Sequence, residues 1–187
     1  MKKTILLIIS LMMLSGCKIP KIEADPMEIG GNSEKSYASA SNQTCSSSYS
    51  YGDKGTAKTL NENSYYYSRD DVTLYLVTFH KLPSNYVKKN GDTSKAGSST
   101  RIGGDYFSNG SDTSPTGLCL PAYSNMSECD VDSSGTSGSK RGAHRLVYTT
   151  TFKVFYTYDH YDHWQEYLGY NNWGPTFASG YYIEICK

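Results

Sequence analysis

Apolar residues along the chain fall into short blocks separated by long polar stretches. The first block, Ile5 to Leu14, follows Lys2 and Lys3 and runs into Ser15, Gly16 and Cys17. About ten apolar residues behind a basic flank are too few to cross a bilayer and read as a signal peptide over 1–16. Residues 17–62 are rich in Ser, Asn, Lys and Glu and poor in large aliphatics, which predicts a flexible tether. Residues 63–187 hold enough apolar material for one domain and show no internal repeat. Within it, Asp70 to Phe79 satisfies two patterns. Its β-branched residues suit a strand, while Val72, Leu76 and Phe79 form a helical stripe with acids at its start. Strands are predicted at Glu128–Asp132, His144–Thr151 and Phe152–Asp159, bounded by Gly/Ser-rich turns. Mobile loops are expected at 90–100 and 132–140, and a turn at Tyr170–Pro175 that joins two further strands. One candidate helix among several strands predicts an α+β fold, with the helix packed on an antiparallel sheet.

The leader adds a location. Leu14-Ser15-Gly16-Cys17 resembles the lipobox of bacterial lipoproteins, which implies cleavage before Cys17 and lipidation of its sulfur. Each buried methylene of the acyl chains would contribute about 0.8 kcal/mol to membrane attachment. The expected site is therefore the cell envelope, extracytoplasmic, on the outer membrane or cell surface. Removing Cys17 from the five cysteines leaves an even number in an exported chain, Cys45, Cys119, Cys129 and Cys186. Two disulfides are expected, and three pairings are open. Joining the ends of the folded region favours Cys45–Cys186, with Cys119–Cys129 closing a short loop. No C-x-x-C pair is present to suggest zinc.

Acidic and basic residues balance over the whole chain, and loss of Lys2 and Lys3 leaves a slight acidic excess. Bulk charge therefore does not point to a nucleic-acid partner, but local charge does. Lys81, Lys88, Lys89, Lys95 and Arg101 face only Asp92 over 81–101, and Lys140, Arg141 and Arg145 cluster without a neighbouring acid. Two stretches carry candidate chemistry. In Glu128-Cys129-Asp130-Val131-Asp132, period-two alternation places Glu128 and Asp130 on one face and Val131 on the other. In Tyr158-Asp159-His160-Tyr161-Asp162-His163-Trp164, two histidines stand three apart. On a helix they could hold zinc, but on an extended strand they point to opposite faces, so no metal site is predicted.

Three blocks, FHKLPSNYVKK (79–89), IGGDYFSN (102–109) and RLVYTTTFKVFYTYDH (145–160), resemble the barnase-like microbial ribonucleases in order and largely in spacing. The resemblance covers roughly 70–168 and favours a helix at 70–79. It implies a metal-free endoribonuclease cleaving single-stranded RNA through a 2′,3′-cyclic phosphate, with no cofactor, acting as a monomer. A barstar-like inhibitor protein is an implied partner beside RNA and the membrane. Glu128 then corresponds to the general base and His160 to the general acid, with Arg145, Arg141 and Lys89 at the phosphate. Tyr161 would pack beside the base or the phosphate, while His163 has no functional counterpart. Phe107, Ser108, Asn109, Gly110 and Ser111 correspond to the loop that holds guanine.

This chain departs from the family pattern at three places. Gly110 and Ser111 replace the arginine and glutamate of the guanine loop, leaving Asp112 as the nearest carboxylate. The connection from Lys89 to Ile102 is shorter than in the family, so its second and third helices are trimmed or absent. A C-terminal extension, Gly169–Lys187, adds a hairpin and Cys186. The rival reading is a ribonuclease-fold surface lipoprotein that acts as a binding module with weak or no catalysis. The altered guanine loop favours that reading, and retention of Glu128, Arg141, Arg145 and His160 together opposes it.

Overall fold

The computed structural model describes residues 45–52, 58–89, 97–110 and 118–186. The signal peptide, Cys17, most of the tether, Lys95, Ser111 and Asp112 lie outside the described residues. The segment with two patterns forms helix α1, Arg69–Phe79. Ser68 caps its start by accepting from the Asp71 amide, Asp70 and Asp71 complement the positive end of the helix dipole, and His80 ends it at φ 56°. Val72 and Leu76, fully buried, carry the apolar stripe into the sheet.

The strands are β1 (Tyr86–Val87), β2 (Arg101–Tyr106), β3 (Ser127–Asp130), β4 (Arg145–Tyr148), β5 (Val154–Thr157), β6 (His163–Gly169), β7 (Asn172–Trp173) and β8 (Phe177–Ala178). They form one sheet in the order β1 to β7, with β8 added beside β6. Pairing is antiparallel except between β1 and β2, which run parallel. The observed strands are shorter than the predicted ones, because the polar ends of those runs turn away at Asp132, Thr149 and Tyr158. The expected turn at 170–175 joins β6 to β7 through Asn171 at φ 56°.

Alternation along the strands sorts two cores. Cys129, Val131, Leu146, Val154 and Tyr156 pack under α1, together with Tyr167 and Trp173. The opposite face carries Val147, Phe155, Trp164, Phe107, Cys119 and Leu120. This sorting overturns one expected disulfide. Cys129 is a free, buried thiol on the helix side, whereas Cys119 belongs to the core across the sheet and is disulfide-bonded elsewhere. The Cys45–Cys186 bridge is present and joins residues 141 apart, worth about 5 kcal/mol in the chain-entropy model.

The chain ahead of residue 63 contributes to the fold. Ser46 bridges to Ile185, the Gly52 amide donates to the Leu168 carbonyl, and the Tyr51 hydroxyl donates to Glu166. Lys58 pairs with Asp71, and Glu62 with Lys81. The basic segment at 81–101 is therefore less of a free field than its sequence implies. Lys81 has its acid, and Arg101 is buried against the Tyr67 ring while donating to the Ser98 and Thr100 carbonyls.

The two glycines of IGGD have separate causes. A Cβ on Gly103 would lie 2.5 Å from the Cys129 Cβ and 2.7 Å from the Tyr86 ring, so nothing larger fits between β2 and β3. Gly104 sits at φ 83°, where the register between β2 and β3 shifts. Gly103→Ala is predicted to lower stability by roughly 1–3 kcal/mol through overpacking. Denaturant unfolding measures it, with Gly97→Ala as a comparison at an open surface position.

Candidate active site

The site begins with register. Glu128 pairs with Val147 and Asp130 with Arg145, so all four side chains share the sheet face opposite α1. Asp130 is fully buried. Its two oxygens accept from Arg141 Nε at 2.7 Å and from an Arg141 terminal nitrogen at 2.8 Å, a bidentate fork. Arg145 Nε also lies 3.0 Å from Asp130 Oδ1, yet its N–H is not aimed at that oxygen and has no hydrogen-bond acceptor. Its other donors reach the His144 carbonyl at 2.8 Å and the Arg141 carbonyl at 3.3 Å. The basic cluster that lacked a neighbouring acid in the sequence thus receives one from β3.

Arg141 ends a 3-10 turn, Gly138–Arg141, inside the segment expected to be a mobile loop. Gly142 at φ 60° then redirects the chain into β4. From the other side of the site comes the 158–162 loop, between β5 and β6, where His160 and Tyr161 both adopt positive φ, 58° and 82°. Two such non-glycine residues in succession cost energy, so the surroundings must hold them. The His160 amide donates to the Ala143 carbonyl, docking the loop onto the arginine segment. The Tyr161 amide donates to the buried Thr157 hydroxyl. The Tyr161 hydroxyl makes a short hydrogen bond to Glu128, and its ring packs on Phe107 and Trp164. The two histidines therefore lie on a tight loop and at the first residue of β6, rather than along one extended strand. His163 is bound by its Nδ1 to Asp159 at 2.6 Å.

Charges and burial set opposite shifts on the two candidate proton carriers. Burial raises the Glu128 carboxyl above its usual range, and the Tyr161 donor with the Arg145 and Arg141 charges offsets only part of that rise. Burial and the same two guanidiniums lower His160 below an ordinary imidazole. Glu128, Arg141, Arg145, His160 and Tyr161 are thus brought together. Lys89 is not among them. It sits exposed in a turn after β1, its amide bonded to Asp105, and among the described residues its ammonium makes no ion pair with any of those five.

In the expected guanine loop, Phe107 is buried against Tyr161, while Asn109, at φ 43°, uses its side chain internally. Its amide donates to the Leu120 carbonyl and its carbonyl accepts from the Leu120 amide. Ser108 is exposed and Gly110 partly so. Sequence reading missed two supporting residues. Asp130 was legible as a same-face partner of Glu128 but not as the counterion of both arginines. Asp159 gave no signal beyond its place in the aromatic run.

A carboxylate, an imidazole and two guanidiniums facing one another on an α+β fold form the equipment of an acid–base enzyme acting at an anion. A family model described as ribonuclease matches residues 33–168. A ribonuclease of Heyndrickxia coagulans is 32% identical over 103 residues, covering 49% of this chain and 88% of that protein. Ribonucleases of Bacillus intermedius and Bacillus pumilus are each 32% identical over 103 residues, and the match spans 59% of their length. The chain belongs to the ribonuclease family, the barnase-like microbial endoribonucleases that its motifs resemble.

Tyr161→Phe removes the donor that favours ionised Glu128. Its carboxyl is therefore predicted to titrate at higher pH than in the parent chain, as followed by carbon NMR of labelled glutamate. A midpoint that is unchanged or lower would show that the bond does not act on the charge.

Proposed function

We propose that the chain cleaves single-stranded RNA by metal-independent transphosphorylation. Glu128 accepts the proton of the ribose 2′-hydroxyl as that oxygen attacks the adjacent phosphorus. The bond from phosphorus to the departing 5′-oxygen breaks, and His160 gives its proton to that oxygen. The products are a 2′,3′-cyclic phosphate and a free 5′-hydroxyl, and water opens the cycle with the two roles reversed. Arg145 and Arg141 hold the phosphoryl oxygens.

The observation that carries this reading is that Glu128 and His160 both lie within the field of the Arg141 and Arg145 guanidiniums, which Asp130 anchors, and are shifted in opposite directions there. A phosphoryl oxygen reaches the pair through Arg141, whose side chain keeps 19% of its surface in solvent against 3% for Arg145. It also offsets the guanidinium charge that lowers His160, so substrate binding returns the imidazole toward its protonated, donating form. The raised Glu128 is a better base than an ordinary carboxylate once ionised.

Guanine preference is a narrower proposal. With the Asn109 side chain engaged on Leu120, a base in this loop would meet the backbone of Ser108, Asn109 and Gly110. Ser108 is the exposed residue of this loop, and Gly110 adds no side chain beside it.

An oligoribonucleotide and its all-deoxy analogue, incubated with the protein and a chelator, test the reaction. RNA alone should be cut, with cyclic-phosphate ends. Glu128→Ala and His160→Ala should each reduce the rate by about two orders of magnitude or more. Cleavage of the deoxy strand, or loss of activity with chelator, would contradict the mechanism.

A further inference from the structure

The chain beyond the family match at 33–168 runs back along β6 to the loop that carries His160. There β8 pairs with the start of β6, Ala178 against His163 and Phe177 against Trp164. Phe177 is buried in the same core as Phe107, Tyr161 and Trp164. Ser179 comes next and bonds both the loop and the strand behind it. Its amide donates to the Asp162 carbonyl at 2.9 Å, and its hydroxyl donates to the Tyr161 carbonyl. The same hydroxyl accepts from the Trp164 indole N–H at 2.8 Å. Farther along, Tyr182 donates to the buried Glu166 at 2.6 Å, Ile185 bridges to Ser46, and Cys186 is bonded to Cys45. The segment is therefore fastened on both sides of Ser179.

Ser179 meets the loop where its backbone is most constrained. His160 and Tyr161 stand at φ 58° and 82°, a region that persists only where the surroundings over-determine it. Tyr161 is bonded at amide, hydroxyl and carbonyl alike. The amide goes to Thr157 on β5 and the hydroxyl to Glu128 on β3, whereas the partner of the carbonyl is Ser179. Ser179 also holds Trp164, which is fully buried with its ring 5.8 Å from that of Tyr161. A shift of about 1 Å takes a hydroxyl out of hydrogen-bond range, so the grip on the Tyr161 backbone decides whether its ring reaches Glu128.

We infer that Ser179 is a positioning residue: by holding the Tyr161 carbonyl and the Trp164 indole, it keeps the Tyr161 hydroxyl on Glu128 and the adjacent His160 in place. Its consequence for catalysis rests on the ribonuclease reading; the geometry it maintains does not. Glu128 faces Tyr161 from the loop, Arg141 and Arg145 from the arginine segment, Asp130 on its own strand and Asp105, its partner on β2. The Tyr161 bond and the two guanidiniums favour its ionised form, and Asp130 opposes it. Releasing the loop weakens the first of these and leaves the arginines and Asp130 where they are, so Glu128 then titrates at higher pH.

The test compares Ser179→Ala and Ser179→Thr in the full chain, by RNA cleavage and by carbon NMR titration of labelled glutamate. Ser179→Ala should lower kcat about tenfold or more, with KM within about twofold of the parent, and should move the Glu128 midpoint upward. Ser179→Thr keeps the hydroxyl and should recover both values. Tyr181→Ala, at an exposed position of the same segment, is the comparison and should match the parent. A folded Ser179→Ala protein with the parent's kcat or the parent's Glu128 midpoint overturns the role, as does a Ser179→Thr protein no better than Ser179→Ala. A parent chain that cuts no RNA sinks the ribonuclease reading, and the titration then decides alone on Ser179. If Ser179→Ala does not fold, amide hydrogen exchange on the parent decides. The Ser179 and Tyr161 amides should open together, at similar free energy, and a Ser179 amide that exchanges far faster than that of Tyr161 overturns the role.

Discussion

One buried carboxylate organises the site. Asp130 has no solvent to stabilise its charge, and its compensation comes from Arg141 and Arg145, which reach it from a 3-10 turn and the neighbouring strand. Removing one member of such a group typically costs about 3–5 kcal/mol, because the remaining charge is stranded in a poor solvent. The same charges act beyond the pair. Asp130 cancels one guanidinium and leaves a local excess of positive charge between Glu128 and His160. That excess helps keep Glu128 ionised and His160 neutral while no anion is bound. The Tyr86 hydroxyl, donating to the Asp130 carbonyl at 2.7 Å, ties this point of β3 to the edge strand.

The second constraint is the strained turn. His160 and Tyr161 sit at positive φ, held by the Thr157 hydroxyl and the Ala143 carbonyl, while Asp159 braces the same loop from outside. Backbone that must be held in place is backbone that can aim a side chain, here the imidazole of His160 at the guanidinium pair. Tyr161 extends the same brace by bonding Glu128. His160 and Glu128, the proposed acid and base, are thus linked through adjacent residues of a single loop, so a disturbance of that loop should affect both.

Much of this was legible because it follows from short-range rules. Alternation in Glu128–Asp132 predicted the shared face of Glu128 and Asp130, and the acids at 70 and 71 marked the start of α1. The resemblance decided what pattern left open, including the helix itself. What was not legible depended on pairings across the sheet. Arg141 and Arg145 looked unpaired because their acid lies on another strand, and Arg101 looked exposed although an aromatic ring covers it. The failed Cys119–Cys129 pairing has the same origin: ten positions apart in sequence, the two side chains belong to the cores on opposite faces of one sheet. Lys89 corresponds to a phosphate-site residue only through the resemblance, and its position in a turn after β1 leaves it outside the group gathered around Asp130.

The central claim is that Asp130 fixes the charge environment shared by His160, the proposed acid, and the two arginines. Asp130→Asn keeps the shape and removes the charge. In a variant that still unfolds cooperatively, the NMR titration of His160 should move to lower pH, since Asp130 is among the groups that raise it. A folded Asp130→Asn protein whose His160 titrates as in the parent, or at higher pH, would contradict the account.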